Sequence, residues 1–169
     1  MGFHSTSVAN RFLQLASAKG QKLTQMQLQK LVYIAHGWSL AILGRPLTSD
    51  SVCAWDYGPV YPELWQSLKR YGREPVLEQI KVRDFGLGAF SANADQVSSA
   101  NLDVDTDTLV SQVFENYGQF HAFQLSAMTH ENGTPWHQVY VEDGAKKGKI
   151  SDEKIREHFI DIARKRSAA

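Results

Sequence analysis

MQLQKLVYIAHGWSLAIL, residues 26–43, is apolar on nearly every side once Lys30 is passed. At helical spacing Leu28, Leu31, Ala35 and Ile42 share one face, and Ile34, Trp38 and Ala41 lie close beside it. A helix without a polar face is one surrounded by other elements, so this stretch predicts the central helix of a core. Thr24 and Gln27 have capping-box spacing, in which the hydroxyl accepts an orphan helix N–H while the amide reaches back. Gly44 and Pro46 mark its end.

The neighbouring segments supply partners for that helix. SVANRFLQLASA, residues 7–18, places Val8, Phe12, Leu15 and Ala16 near one face and stops at Gly20. SVCAW, residues 51–55, alternates weakly and predicts a short strand. YGPVYPELWQSLKRYG, residues 57–72, reads as a turn entering a helix, with Pro62 and Glu63 in its first turn and Leu64, Leu68 and Tyr71 facing inward. VLEQIKVR, residues 76–83, suits another short strand, whereas the stretch from Gly86 to Asn101 is polar and irregular. DVDTDTLVSQVFENYG predicts a helix through Leu109, Val113, Phe114 and Tyr117, and QFHAFQLSAMTH a further one through Phe120, Phe123 and Met128. EDGAKKGK, residues 142–149, reads as a linker. A last helix follows, with Ser151 as cap, Asp152 and Glu153 in its first turn, a stripe of Ile155, Phe159 and Ile162, and a basic end. The sum is a mainly helical α+β domain with a few short strands. Residues 5–142 are expected to form its body, with 143–169 a linker and a C-terminal helix packed on it.

Composition narrows the function. Eighteen basic and eighteen acidic residues in a chain of 169 cancel, which argues against a protein that grips nucleic acid through many phosphates. No apolar leader or anchor stands at the N-terminus, so a cytoplasmic protein without a membrane partner is expected. Cys53 is alone, and none of the six histidines falls in a metal-ligand spacing, so neither metal nor cofactor is expected. Cys53 between Val52 and Ala54 reads as a core residue. Ser126 and Thr129 near His130 offer only a weak case for hydrolysis, because no general base is aimed at either hydroxyl.

Two stretches remain. WDYGPVYPELW, residues 55–65, concentrates Trp55, Tyr57, Tyr61 and Trp65 around a Gly-Pro turn, which suits either a core corner or an interface of rigid aromatic anchors. THENGTPW, residues 129–136, reads as a clamp that ends a helix: Thr129 and His130 bond nearby backbone, Gly133 and Pro135 redirect the chain, and Trp136 lids the core.

Together, LQKLVYIAHGWSLAILGRPL, AWDYGPVYPELWQSLKRYG and LSAMTHENGTPW resemble the SocA-like Panacea antitoxin domain, a family of bacterial and phage-associated proteins, over roughly residues 8–140. The resemblance implies a non-enzymatic antitoxin, with no catalytic residues, that neutralises a cognate protein toxin by direct contact. For one branch it implies an adaptor that hands the toxin to a ClpXP-type protease. The family motif falls on Leu28, Lys30, Leu31, Tyr33, His36 and Trp38, on Trp55, Tyr57, Gly58, Pro59 and Val60, and on Thr129, His130, Pro135 and Trp136. A partner-binding set of Tyr57, Tyr61, Trp65, Arg70 and Arg73, joined by the terminal helix, is expected. A hydrolytic enzyme using His130 and an operator-binding regulator are the competing classes.

Overall fold

The computed structural model describes residues 2–84 and 88–168. Helix α1 spans Ser5–Ala18, two residues earlier than its periodicity predicts, because the His4 side chain accepts the Thr6 N–H. Helix α2 spans Gln25–Trp38 and carries the complete capping box at Thr24 and Gln27. A π-type turn, Ser39–Leu43, prolongs it to Gly44, which closes the helix at a φ of 68°. Every residue from Leu28 to Trp38 is buried. Helices α1, α4 (Val104–Tyr117), α5 (Ala122–His130) and α7 (Asp152–Ala168) pack around it.

Three polar residues on this buried helix find their partners in the segment 47–61 or at α7. The Gln29 amide donates to the Tyr61 carbonyl at 3.1 Å and accepts the Tyr61 N–H at 2.9 Å. Lys30 donates to the Pro59 carbonyl at 2.9 Å. His36 Nδ1 accepts the backbone N–H groups of Leu47 and Thr48, both at 3.2 Å. Buried polar groups are tolerated only when bonded, so these contacts fix where the connecting segment must lie.

That segment holds a small ribbon. Strand β1, Cys53–Trp55, pairs antiparallel with β2, Gly58–Val60, in the register Cys53↔Val60, Ala54↔Pro59 and Trp55↔Gly58. GPV is therefore a strand, not only the turn its glycine and proline suggest. Proline has no N–H to donate and is accepted here because β2 is an edge strand. On the other side of β1, Lys147 N–H donates to the Ala54 carbonyl at 2.7 Å, Ala54 N–H to Gly148 at 2.8 Å, and Ile150 N–H to Val52 at 2.9 Å. Helix α3, Pro62–Leu68, follows β2 with proline in its first turn.

Two further expectations are corrected. VLEQIKVR forms no strand; it makes one isolated bridge, Lys81 to Val97, and enters a short 3₁₀ turn at Val82–Asp84. The cause is Asn10 of α1, whose side chain accepts the Ile80 N–H at 2.7 Å and donates to the carbonyls of Ile80 and Ser98, doing the work of a neighbouring strand. In α5 the inward residues are Leu125, Ser126 and Thr129, whereas Phe123 and Met128 face solvent. Of the irregular stretch from Gly86 to Asn101, the first two residues lie outside the described residues, and Gly88–Phe90 makes a 3₁₀ turn.

The terminal helix α7 lies against α2 and its π-type turn through Ile155 and Phe159. Gly37 makes this contact: a Cβ there would sit 2.2 Å from Cε2 of Phe159. The Phe159 ring meets Trp38 edge-on at 5.1 Å and Tyr33 at 6.1 Å. Short helix α6, Pro135–His137, and its extension Gln138–Glu142 join α5 to the 147–150 segment.

Candidate functional site

The three motif stretches converge at the ribbon. Lys30 reaches from α2 to Pro59 through a fully buried path, and burial alone lowers its pKa to about 7. Gly58 adopts a φ of 109° beside it, and a Cβ at this position would lie 2.8 Å from Lys30 Nζ and 3.4 Å from Thr129 Oγ1. Glycine is required on both counts. Thr129 donates within its own helix, to the carbonyls of Leu125 and Ser126. Among the described residues the Tyr33 hydroxyl is buried without a hydrogen-bond partner, and burial raises its pKa strongly.

HENGTPW is assembled as a clamp. Thr134 caps α6, accepting the His137 N–H at 3.2 Å and donating to the Glu131 carbonyl at 2.7 Å. Gly133 turns the chain at a φ of 84°, and Pro135 opens α6. The Trp136 indole, buried, donates to the Trp55 carbonyl at 2.7 Å, stacks on Tyr140 at 4.6 Å and receives the His130 ring edge-on at 5.2 Å. The motif thus ties α5 to β1.

The hydroxyls near His130 are committed elsewhere. Ser126 donates its proton to the Tyr57 carbonyl at 2.9 Å, so at the 3.3 Å contact with His130 Nδ1 it can only accept. An imidazole in that role does not activate the hydroxyl as a nucleophile. A second carboxylate–imidazole–hydroxyl line runs from Asp152 through His36 to Thr48, at 2.9 and 3.1 Å. Its geometry resembles a hydrolase relay, but Thr48 is buried and bonded to the Tyr61 hydroxyl at 3.0 Å. With Nδ1 accepting two backbone N–H groups, the His36 proton sits on Nε2 and points at Asp152, whose pKa that bond lowers. The line anchors α7 to α2. Burial raises the Cys53 pKa, which keeps it a thiol. Among the described residues no three metal-ligating side chains converge, and no helix is long and apolar enough to cross a membrane.

The partner-binding set divides. Tyr61, expected among the contacts, is fully buried: Gln29 holds its backbone and Thr48 its hydroxyl. Tyr57 is 71 % exposed at the ribbon tip, and Trp65 is 37 % exposed. Arg70 and Arg73 are exposed, Arg70 bonding Asp84 and the Tyr71 hydroxyl, each at 3.3 Å. Trp65 lies against Trp55 at 5.4 Å. Sequence reasoning missed the cations above these rings: Lys69 stands 5.5 Å over Trp65, Lys147 5.5 Å over Trp55, and Lys146 5.5 Å over Tyr140. The visible signal was the run AKKGK, read only as a linker.

The family model described as "Antitoxin SocA-like, Panacea domain" matches residues 28–137, which include Lys30, Gly58, Thr129 and Trp136. The chain is also similar to the protein described as "Antitoxin SocA" of Caulobacter vibrioides (strain NA1000 / CB15N), with 30 % identity over 156 residues, covering 90 % of this chain and 80 % of that protein. No solved structure matches the chain.

Proposed function

The chain belongs to the SocA-like antitoxin family built on the Panacea domain, and we propose that it neutralises a cognate protein toxin by direct binding. The observation that carries this reading is a division of labour. Within the motif cluster the hydroxyls of Ser126 and Thr129 and the ammonium of Lys30 are spent on backbone carbonyls, which leaves them free for neither acid–base nor nucleophilic work. Exposed aromatic side chains remain outside the cluster, where Tyr57 and Trp65 supply rigid contact area at small ordering cost. In this reading Tyr57, Trp65, Arg70 and Arg73 are contacts, Tyr61 supports them from the core, and the interface buries upwards of about 1,000 Å².

Delivery of the toxin to a ClpXP-type protease needs a second surface. The basic end of α7 gives no independent support for one, since Arg166 is already engaged with the Tyr117 hydroxyl at 3.0 Å and stacked 5.3 Å over Trp38.

The test is a pull-down of the tagged chain from cells carrying its native neighbouring gene, followed by size-exclusion chromatography. A stoichiometric partner that arrests growth when expressed alone, and whose growth arrest the chain reverses, supports the reading. Absence of a partner in cells lacking the protease as well as in those containing it overturns both binding and delivery.

A further inference from the structure

Resting on the antitoxin reading, we propose that the surface receiving the toxin is the aromatic and lysine face around β1, and that it receives an acidic segment of the toxin presenting Asp or Glu side chains. The face has two parts joined from beneath. Lys69 lies over Trp65 and Trp65 against Trp55, whose carbonyl accepts the buried Trp136 indole, and that indole stacks on Tyr140 under Lys146. Lys147 stands over Trp55 in the middle.

Three observations give this face its charge preference. Among the described residues the lysines that make ion pairs are Lys19, Lys154 and Lys165, so the ammonium groups of Lys69, Lys146 and Lys147 are engaged by no carboxylate in an ion pair. The nearby acids Glu142 and Asp143 are turned to His137 and Lys154, at 3.6 Å each. Finally, Lys147 occupies the left-handed region at a φ of 61°, where among the described residues every other positive φ belongs to a glycine. A lysine where glycine is the unstrained choice points to its side chain, since observed backbone outliers cluster at functional positions.

An acidic protein segment suits the face better than a nucleic acid strand. Asp56, held by the Tyr140 hydroxyl at 2.6 Å, puts a carboxylate within it. A continuous phosphate backbone meets that charge, whereas spaced carboxylates can pass on either side. The ring faces are roofed by ammonium groups, which offers cations rather than bare stacking platforms to an incoming chain.

The test uses the purified full chain, a fluorescein-labelled peptide of alternating Glu and Tyr, and an oligo-dT strand of the same length. The wild type should bind the peptide at low ionic strength, with affinity falling as salt is added. The K69E/K146E/K147E variant should bind about tenfold or more weakly while keeping the wild-type circular dichroism at the assay temperature, and K69Q/K146Q/K147Q should fall between. No peptide binding, equal binding by the reversed variant, or preference for oligo-dT each overturns the proposal. Growth rescue against the toxic neighbouring gene separates the two layers. If the wild type and the reversed variant rescue equally, this face is not the docking surface and the antitoxin reading stands. If the wild type itself fails to rescue, the toxin is lost as occupant while the peptide titration still decides the chemistry of the face.

Discussion

Lys30 Nζ lies 2.9 Å from the Pro59 carbonyl oxygen, a single bond joining the middle of the core helix to the edge of the ribbon. The ammonium is buried and its pKa is lowered to about 7, whereas in the unfolded chain it holds its proton to about pH 10.4. The unfolded state therefore binds more protons between these values, and stability rises with pH from near neutrality. Urea midpoints should climb between pH 7 and about pH 9.5, by up to roughly 3 kcal/mol in stability. Above about pH 10 the trend reverses, because Tyr33 and Tyr61 resist ionisation only in the fold. Lys30→Met should flatten the rise, and a slope that persists in that variant would assign it to another group.

Gly58→Ala should destabilise by about 1–3 kcal/mol, through its positive φ and the approach of Lys30 Nζ. In thermal unfolding this is about 2–4 °C for each kcal/mol. An unchanged midpoint would mean the ribbon yields freely around Lys30.

Gly37→Ala should cost about 2–3 kcal/mol, because the added methyl meets the rigid Phe159 ring. Combined with Phe159→Leu, the loss should be less than additive, as contacting residues couple. Calorimetry of the four proteins checks this, and strict additivity would place the clash elsewhere.

Asp152→Ala leaves the buried His36 Nε2–H without its acceptor and should cost about 1–2 kcal/mol. The Asp152 carboxyl is held below the ordinary carboxylate range by this bond, so its contribution is present above about pH 3.9 and fades as pH falls through the lower folded value. Because the Asp152 side chain is more than half exposed, the bond contributes less than about 1 kcal/mol of that pH dependence. Limited proteolysis should show α7 released first in the variant; cleavage elsewhere would contradict the anchoring role.

His130→Ala should preserve neutralisation and lose about 0.5–1.5 kcal/mol through its edge contact with Trp136. Growth rescue beside circular dichroism decides this. Lost rescue in a folded variant would return His130 to chemistry.

The central helix was legible because its signal is local: no polar face, a capping box and a glycine stop lie within one stretch. Helix ends at Pro62 and Ser151 were legible for the same reason. The ribbon was less so. Gly58-Pro59 carries turn chemistry, and what makes it a strand is supplied by Ala54 and Lys30, distant in sequence. Tyr61 reads as a surface anchor by residue type, and only Gln29 and Thr48 reveal it as core. In α5 hydrophobicity favours Phe123, yet Ser126 faces inward because the Tyr57 carbonyl needs a donor. The motif residues were assigned by resemblance. The cation face was not, since it unites Lys69 with Lys146 and Lys147, which are distant in sequence.

The pairing of residues 147–150 with β1 has a further effect. With β2 on one flank and this segment on the other, β1 is paired on both sides, and the backbone groups of Val52 and Ala54 are taken up by the segment. Should the segment detach, β1 would present free amides and carbonyls as a template for another chain's strand. Loss of α7 is then expected to turn a discrete antitoxin into one that self-associates through its ribbon, so that shortening the C-terminus reads out first as aggregation.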